Sequence, residues 1–319
     1  MITVLCGGVG AAKFLLGLRE AFADEEIVAV VNVGDDEIIH GLHVSPDIDT
    51  ILYTLSEQVN EETGWGIKNE TWNAHERLGA LGEPTWFQLG DKDLATHLFR
   101  TSRIHNGATL SSVTRELSKS MEIKITLLPI SDDPIRTIIG SKDKTGANTV
   151  FTFQEYFVKN RHEIPVSAIS YQGTKDAKIL PDVLDALHGC RNIIIAPSNP
   201  LLSIGPMLDI KKLAGLLRTM RDKTVAISPI VGGKAIKGPA DKIMRELGMI
   251  PNAYGVALFY QNFVKHFIID NADSHLASQI EDLSMNVLST DTVMRDKLTT
   301  ARLAREIHDL VTQWKLSSQ

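Results

Sequence analysis

Two rhythms of apolar positions alternate along the chain. Short continuous runs of β-branched and aliphatic residues predict strands buried on both faces. Between them, apolar positions recur at helical spacing. Ile2–Cys6 is the first such strand, and Phe14, Leu15, Leu18 and Phe22 then predict a helix starting near Gly10. Ile27–Asn32 predicts a second strand, followed by a helix through Ile51, Leu52 and Leu55. Later, Val166–Tyr171, Asn192–Ala196, Thr224–Ser228, His266–Asp270 and a strand near Asn286–Leu288 continue the strand series, with a helix at Pro181–Leu187. A final helix carries the stripe Leu303, Ile307, Leu310, Val311 and Trp314. Strands alternating with helices predict an α/β fold with a mainly parallel sheet.

From about residue 100 to 165 the rhythm breaks. Helical stretches run to about Met121, a strand follows at Ile123–Leu128, and a hairpin turns around Lys144–Asn148 into a second arm at Thr149–Phe153. This stretch is read as a helical and hairpin cap inserted into one domain spanning 1–319. No repeat, low-complexity tract or linker divides the chain.

Composition changes this picture little. Hydrophobic content of 43% and charged content of 23% are ordinary for a globular protein, and the net charge of −6 argues against non-specific nucleic-acid binding. Cys6 and Cys190 each sit beside a predicted buried strand and read as reduced apolar residues. No apolar run reaches membrane-spanning length, and the N-terminus enters a strand directly, so a cytoplasmic protein is expected.

The candidate chemistry gathers at predicted strand ends. Gly7-Gly8-Val9-Gly10 joins the first strand to a helix N-terminus, where backbone N–H groups and nearby Lys13 suit a phosphate. It is neither a P-loop nor a dinucleotide fingerprint, because no Gly-Lys-Ser/Thr closes it and Lys13 replaces the third glycine. Asp35, Asp36, Asp47 and Asp49 lie within fifteen residues. They read either as caps, with Ser45 or Asp47 opening the second helix, or as oxygen ligands for Mg²⁺. Gly64–Asn73 carries Trp65 and Trp72, either as surface anchors or as a wall for a planar ring. Asp91 is expected to cap a helix containing Lys92 and Asp93, and His97 reads as readily as a core histidine as a ligand. Pro197-Ser198-Asn199-Pro200, Ser203-Ile204-Gly205-Pro206 and Ser228-Pro229-Ile230 are turns at neighbouring strand ends, where open α/β sheets bind ligands. No serine or cysteine has a convincing histidine partner for covalent catalysis.

Taken together and in order, these motifs resemble one family. With Ser45–Thr50, Leu89–His97 and Ser131-Asp132-Asp133, they are similar to the 2-phospho-L-lactate transferases (CofD, FbiA in actinobacteria) of deazaflavin coenzyme F-420 biosynthesis. The resemblance runs from Met1 to the C-terminal helix. It implies a Rossmann-like doubly wound core with a cap, a homodimer, and a Mg²⁺-dependent reaction. In that reaction a guanosine-diphosphate-linked three-carbon acid donates its phospho-acid group to the ribityl 5′-hydroxyl of the deazaflavin Fo, and GMP leaves. By the same resemblance Asp49, Lys92 and Trp65 contact Fo, and Asp49, Asp47 and Lys92 serve the displacement. Gly8, Gly10, Lys13, Ser198, Asn199, Ser203 and Gly205 hold the nucleotide and its phosphates, and Asp35 and Asp49 take the metal. The first loop reads Val9-Gly10-Ala11-Ala12-Lys13, nearer the actinobacterial form, and leans toward an enolpyruvyl rather than a lactyl donor. On this reading Asp49→Asn lowers turnover far more than stability. Two other readings stand beside it: a non-catalytic nucleotide-sugar-binding regulator of a related family, and a dinucleotide-dependent dehydrogenase, disfavoured because Asn32 rather than an acid ends the second strand.

Overall fold

The computed structural model describes residues 1–143 and 145–316, with side chains through residue 310. The chain opens with β1 (Ile2–Cys6), α1 (Gly8–Ala21) and β2 (Ile27–Val31). A hairpin of β3 (Glu37–Ile39) and β4 (Leu42–Val44) leads into α2 (Pro46–Leu55). Then come α3 (Asn73–Ala80), α4 (Asp91–His105), α5 (Leu110–Ser120) and β5 (Thr126–Pro129). β6 (Arg136–Lys142), β7 (Asn148–Thr152) and β8 (Ala168–Gln172) form a separate antiparallel sheet, ordered β7-β6-β8.

The main alternation resumes with α6 (Pro181–Gly189), β9 (Asn192–Ile195), α7 (Gly205–Leu208), α8 (Lys211–Thr219) and β10 (Thr224–Ile227). A small hairpin, β11 (Ile230–Val231) and β12 (Lys234–Ala235), precedes α9 (Ala240–Glu246) and α10 (Ala253–Tyr260). β13 (His266–Asp270), α11 (Ala277–Glu281), β14 (Asn286–Thr290) and α12 (Lys297–Leu316) complete it.

Seven strands form one parallel sheet in the order β14-β13-β10-β9-β1-β2-β5. The chain builds outward from β1 through β2 to β5, then returns to β1's other side with β9. The switch therefore falls between β1 and β9, and a doubly wound sheet binds ligands outside the carboxyl ends of such a strand pair. The central strands are buried along their whole length, which is why their sequences run apolar without alternation. The one polar side chain in β1, Thr3, is satisfied by donating to the Ala186 carbonyl at 2.9 Å.

Two expected strands land elsewhere. The strand read at Ile123–Leu128 begins at Thr126 and pairs with β2 at the edge of the main sheet. Residues before it are spent closing α5: Glu122 takes φ of 55°, and the Ile123 N–H bonds the Ser118 carbonyl. The strand read at Val166–Tyr171 starts at Ala168 and pairs antiparallel with β6, and its side chains alternate between exposed and partly buried. The hairpin turn forms where expected, although Lys144 lies outside the described residues. Cys6 and Cys190 are free and buried. No described helix is long and apolar enough to cross a membrane.

α12 packs along α1. Leu303, Ala304 and Ile307 are fully buried, the Phe22 and His308 rings meet at a tilt with centroids 4.5 Å apart, and a Cβ on Gly17 would collide with Thr300. Val311 and Trp314 of the predicted stripe lie outside the described side chains.

Candidate active site

The switch point brings the glycine turn and the Pro197 turn into contact. The Gly7 N–H faces Ser198 Oγ at 3.4 Å, and a Cβ on Gly10 would strike the Pro197 carbonyl. A Cβ on Gly7 would strike the Asp47 carboxylate and crowd Ser203. Gly8 has φ of 73°, a left-handed value that costs glycine little. α1 has no side-chain N-cap and no acidic residue in its first turn. No side chain of its own first turn occupies its first N–H groups, but the Asp47 carboxylate lies against Gly7 and Gly8.

Lys13 is exposed at this turn, and Lys237, which sequence reading missed, stands near it. Burial first, then the Lys13 charge, push the Lys237 ammonium below its ordinary value. Lys237 also donates to the Thr63 carbonyl at 3.2 Å, and a Cβ on Gly64 would meet both Lys237 Nζ and Val9. The Trp65 loop is therefore packed against the glycine turn, with Trp65 about half exposed at 49%.

The four aspartates converge behind this turn, and all four are buried. Asn32 at the end of β2 donates to Asp47 at 2.9 Å, which explains an amide where a dehydrogenase would carry an acid. Ser45 sits at the N-cap position of α2 but makes no cap bond; its hydroxyl donates to Asp36 at 2.8 Å. Burial raises the Asp35 carboxyl well above its ordinary value, reinforced by the charges of Asp47 and Asp36. Burial also lifts Asp36 to about 7 and Asp47 to about 6. Asp35 Oδ1 and Asp36 Oδ1 are buried and accept no hydrogen bond. Like charges packed together with unfilled oxygens suit a hard cation. Among the described residues no three Asp, Glu, His or Cys side chains form a closed metal cage. Mg²⁺ keeps waters and substrate phosphates as ligands, so one or two carboxylates suffice.

Asp49 differs from its neighbours. Arg100, wholly buried and missed by sequence reading, grips both of its oxygens, with Nη1 at 3.1 Å from Oδ2. Oδ2 also accepts from the Ser45 N–H and lies 3.7 Å from His97. His97 Nε2 reaches Asp93 at 3.1 Å, and Tyr53 donates to Asp93 at 2.5 Å. His97 is thus a core histidine within a buried polar network. A positive charge within the helical stretches read up to about Met121 was the available signal for Arg100.

The remaining nominated residues serve the frame. Lys92 donates to the Lys68 and Asn69 carbonyls at 3.1 and 2.6 Å, tying the tryptophan loop to α4. Asp91 does not cap its own helix. It accepts from Thr71 Oγ1 and from the Ala74 and Asn73 N–H groups, capping α3 instead, and these bonds draw its carboxyl down to about 2. Asn199 Oδ1 caps its own turn through the Leu201 and Leu202 N–H groups. Gly205 is glycine because Tyr171 fills the space a Cβ would need.

The raised carboxyls make a pH prediction. Between its unfolded value near 3.8 and about 7, Asp36 holds a proton in the folded state that the unfolded chain has released. Stability therefore falls as pH rises through that window. His43 and His266, pushed down to about 4 by burial, act oppositely, so a single variant must isolate what Asp36 does. In EDTA, Asp36→Asn should match wild type in Tm at pH 4.5 and gain on it up to about pH 7.5, by roughly 4 °C or more. A pH-independent gap would contradict the burial of an ionisable Asp36.

Residues 2–307 match the family model described as 2-phospho-L-lactate transferase CofD. The chain is 38% identical over 312 residues to a phosphoenolpyruvate transferase of Nocardia farcinica, covering 97% of this chain and 94% of that protein. It is 37% identical over 310 residues to a 2-phospho-L-lactate transferase of Methanosarcina mazei, covering 97% and 99%. A crystal structure of a UPF0052 family member from Bacillus halodurans superposes with a TM-score of 0.65 at 15% identity, covering 96% and 97% of the two chains, which is a likeness of fold.

Proposed function

Because the chain belongs to the CofD 2-phospho-L-lactate transferase family, and is thus a transferase, we propose that it transfers a phospho-three-carbon-acid group to Fo. The donor is a guanosine-diphosphate-linked acid and the acceptor the ribityl 5′-hydroxyl. The phosphorus bearing the acid gains a bond to the ribityl oxygen and loses its bond to the oxygen that departs with GMP. The hydroxyl proton passes to a nearby carboxylate or to water.

The observation that carries this reading is the meeting of two devices at one switch point: the glycine-rich N-terminus of α1, and buried carboxylates with unfilled oxygens. The first suits the donor's diphosphate. Asp35 and Asp36 own the unfilled oxygens, so they would hold Mg²⁺, with Asp47 beside them. Bound there, the ion would supply charge neutralisation at the phosphorus under attack. Asp49, occupied by Arg100, orients the acceptor rather than taking up the metal. Lys13 and Lys237 flank the phosphates, and the Trp65 loop, braced by Lys92, borders the deazaflavin.

Titration of the protein into Fo, followed by deazaflavin fluorescence with and without Mg²⁺ and GDP, tests the crevice. Saturable binding that responds to GDP is expected, with Mg²⁺-dependent GMP release once donor is added. Binding of GDP or a nucleotide sugar without Fo binding or GMP release would establish the regulator reading instead. Curated relatives of both donor types match at nearly equal identity. Lactyl and enolpyruvyl donors should therefore be run in parallel, and the actinobacterial first loop favours the enolpyruvyl one.

A further inference from the structure

Beside the carboxylate cluster lies a cavity of about 360 Å³, over the ends of β2 and β5 and against the α4–α5 junction. Val33, Ile104 and Ile135 give it an apolar wall, while Asp36, His43 and Arg136 bring polar groups. Asp36 thus belongs both to this cavity and to the reaction centre. Asp36 Oδ1 and His43 Nδ1 are buried without a partner. Asp132 and Asp133 at the rim are already occupied: the first accepts from Ser111 N–H and Oγ, the second from the Lys178 N–H. Arg136 spends one N–H on the Ile135 carbonyl at 2.8 Å.

The other cations at this strand edge have evident work. Arg100 is bound to Asp49, Lys92 to loop carbonyls, and Lys13 and Lys237 flank the glycine turn. The part of the proposed donor that a plain nucleoside diphosphate lacks is a small carbon skeleton ending in a carboxylate. Next to four aspartates such a carboxylate is repelled unless a cation meets it. A guanidinium presents N–H groups in a fork that matches a carboxylate, and an apolar wall suits a three-carbon skeleton.

Resting on the transfer reading above, we propose that this cavity receives the donor's three-carbon acid and that Arg136 pairs with its carboxylate. Arg136 thereby selects an acid-bearing donor over other guanosine diphosphates.

The test uses the full chain, GDP-linked lactate, and the same donor with its carboxylate replaced by a carboxamide. GMP release is measured for wild type, Arg136→Gln and Arg136→Lys. Wild type should prefer the acid by about 30-fold or more in kcat/KM. Arg136→Gln should lose that preference, with a raised KM for the acid donor, while GDP inhibition and the KM for Fo move less than about 3-fold. Arg136→Lys should retain part of the preference, since its charge survives. If Arg136→Gln keeps the preference, or raises the KM for Fo and leaves the donor's unmoved, the cavity does not hold the acid. That second result would give it to the acceptor ring. If wild type releases no GMP from these donors or from the enolpyruvyl one, the transfer reading falls and this proposal with it; Fo binding alone then reports on the crevice.

Discussion

Asp49→Asn should lower the stability of the protein by about 3–5 kcal/mol. Arg100 is 0% exposed, and its guanidinium is matched by the two oxygens of this one carboxylate. Replacing Asp49 with an amide leaves the buried guanidinium with the His43 carbonyl, one amide oxygen and only the Asp36 charge in place of its paired carboxylate. The Ser45 N–H loses the same partner, at the first turn of α2. Sequence alone nominates Asp49 for chemistry and expects turnover to suffer far more than folding; the ion pair adds a folding cost of comparable weight. Urea unfolding measures it: the midpoint should drop with an unchanged slope. Arg100→Met should be similarly costly, whereas the double variant should recover part of the loss, because the two changes share one interaction. A midpoint shift worth less than about 1 kcal/mol in Asp49→Asn would show the pair to be dispensable. Turnover should fall too, and it should be measured below the lowered Tm so that the two losses separate.

Asp35→Asn should behave in the opposite way. Burial and the charges of Asp47 and Asp36 hold the Asp35 carboxyl well above its ordinary value. Removing this group relieves repulsion, so Tm in EDTA at neutral pH should stay level or rise. Turnover should nevertheless fall by about 10³-fold, since on the proposed reading Asp35 is a ligand for the charge-neutralising cation. Mg²⁺ should raise the wild-type Tm by mass action and leave that of Asp35→Asn nearly unmoved. Turnover within about 10-fold of wild type would remove Asp35 from the metal site. One aspartate would thus cost stability and supply activity, while its neighbour supplies both.

How much of this was legible beforehand differs by element. Continuous apolar runs place β1, β2, β9, β10 and β13 within a residue or so, because strands buried on both faces have no other reading. The glycine turn and the acidic cluster were also legible, since both are local in sequence. β8 was not, because Ala168–Gln172 has the same length and flanks as a core strand and reveals its one-sided pairing only through β6. Arg100 and Arg136 were not either: a cation on a helix or at a strand start reads as solvated until its surroundings are known. Asp91 shows the same limit in miniature, since its position fits a cap and only the tertiary fold says which helix it caps.

The packing of α12 on α1 has a consequence for how the molecule is made. α1 is made long before Leu303, Ala304 and Ile307, the α12 residues that are buried where that helix packs along it. β1 likewise waits for β9, nearly two hundred residues downstream, to close its second side. Contacts this distant in sequence delay folding and leave apolar surface open meanwhile. The glycine turn between β1 and α1 therefore stays unsupported on both elements until β9 and α12 have been made.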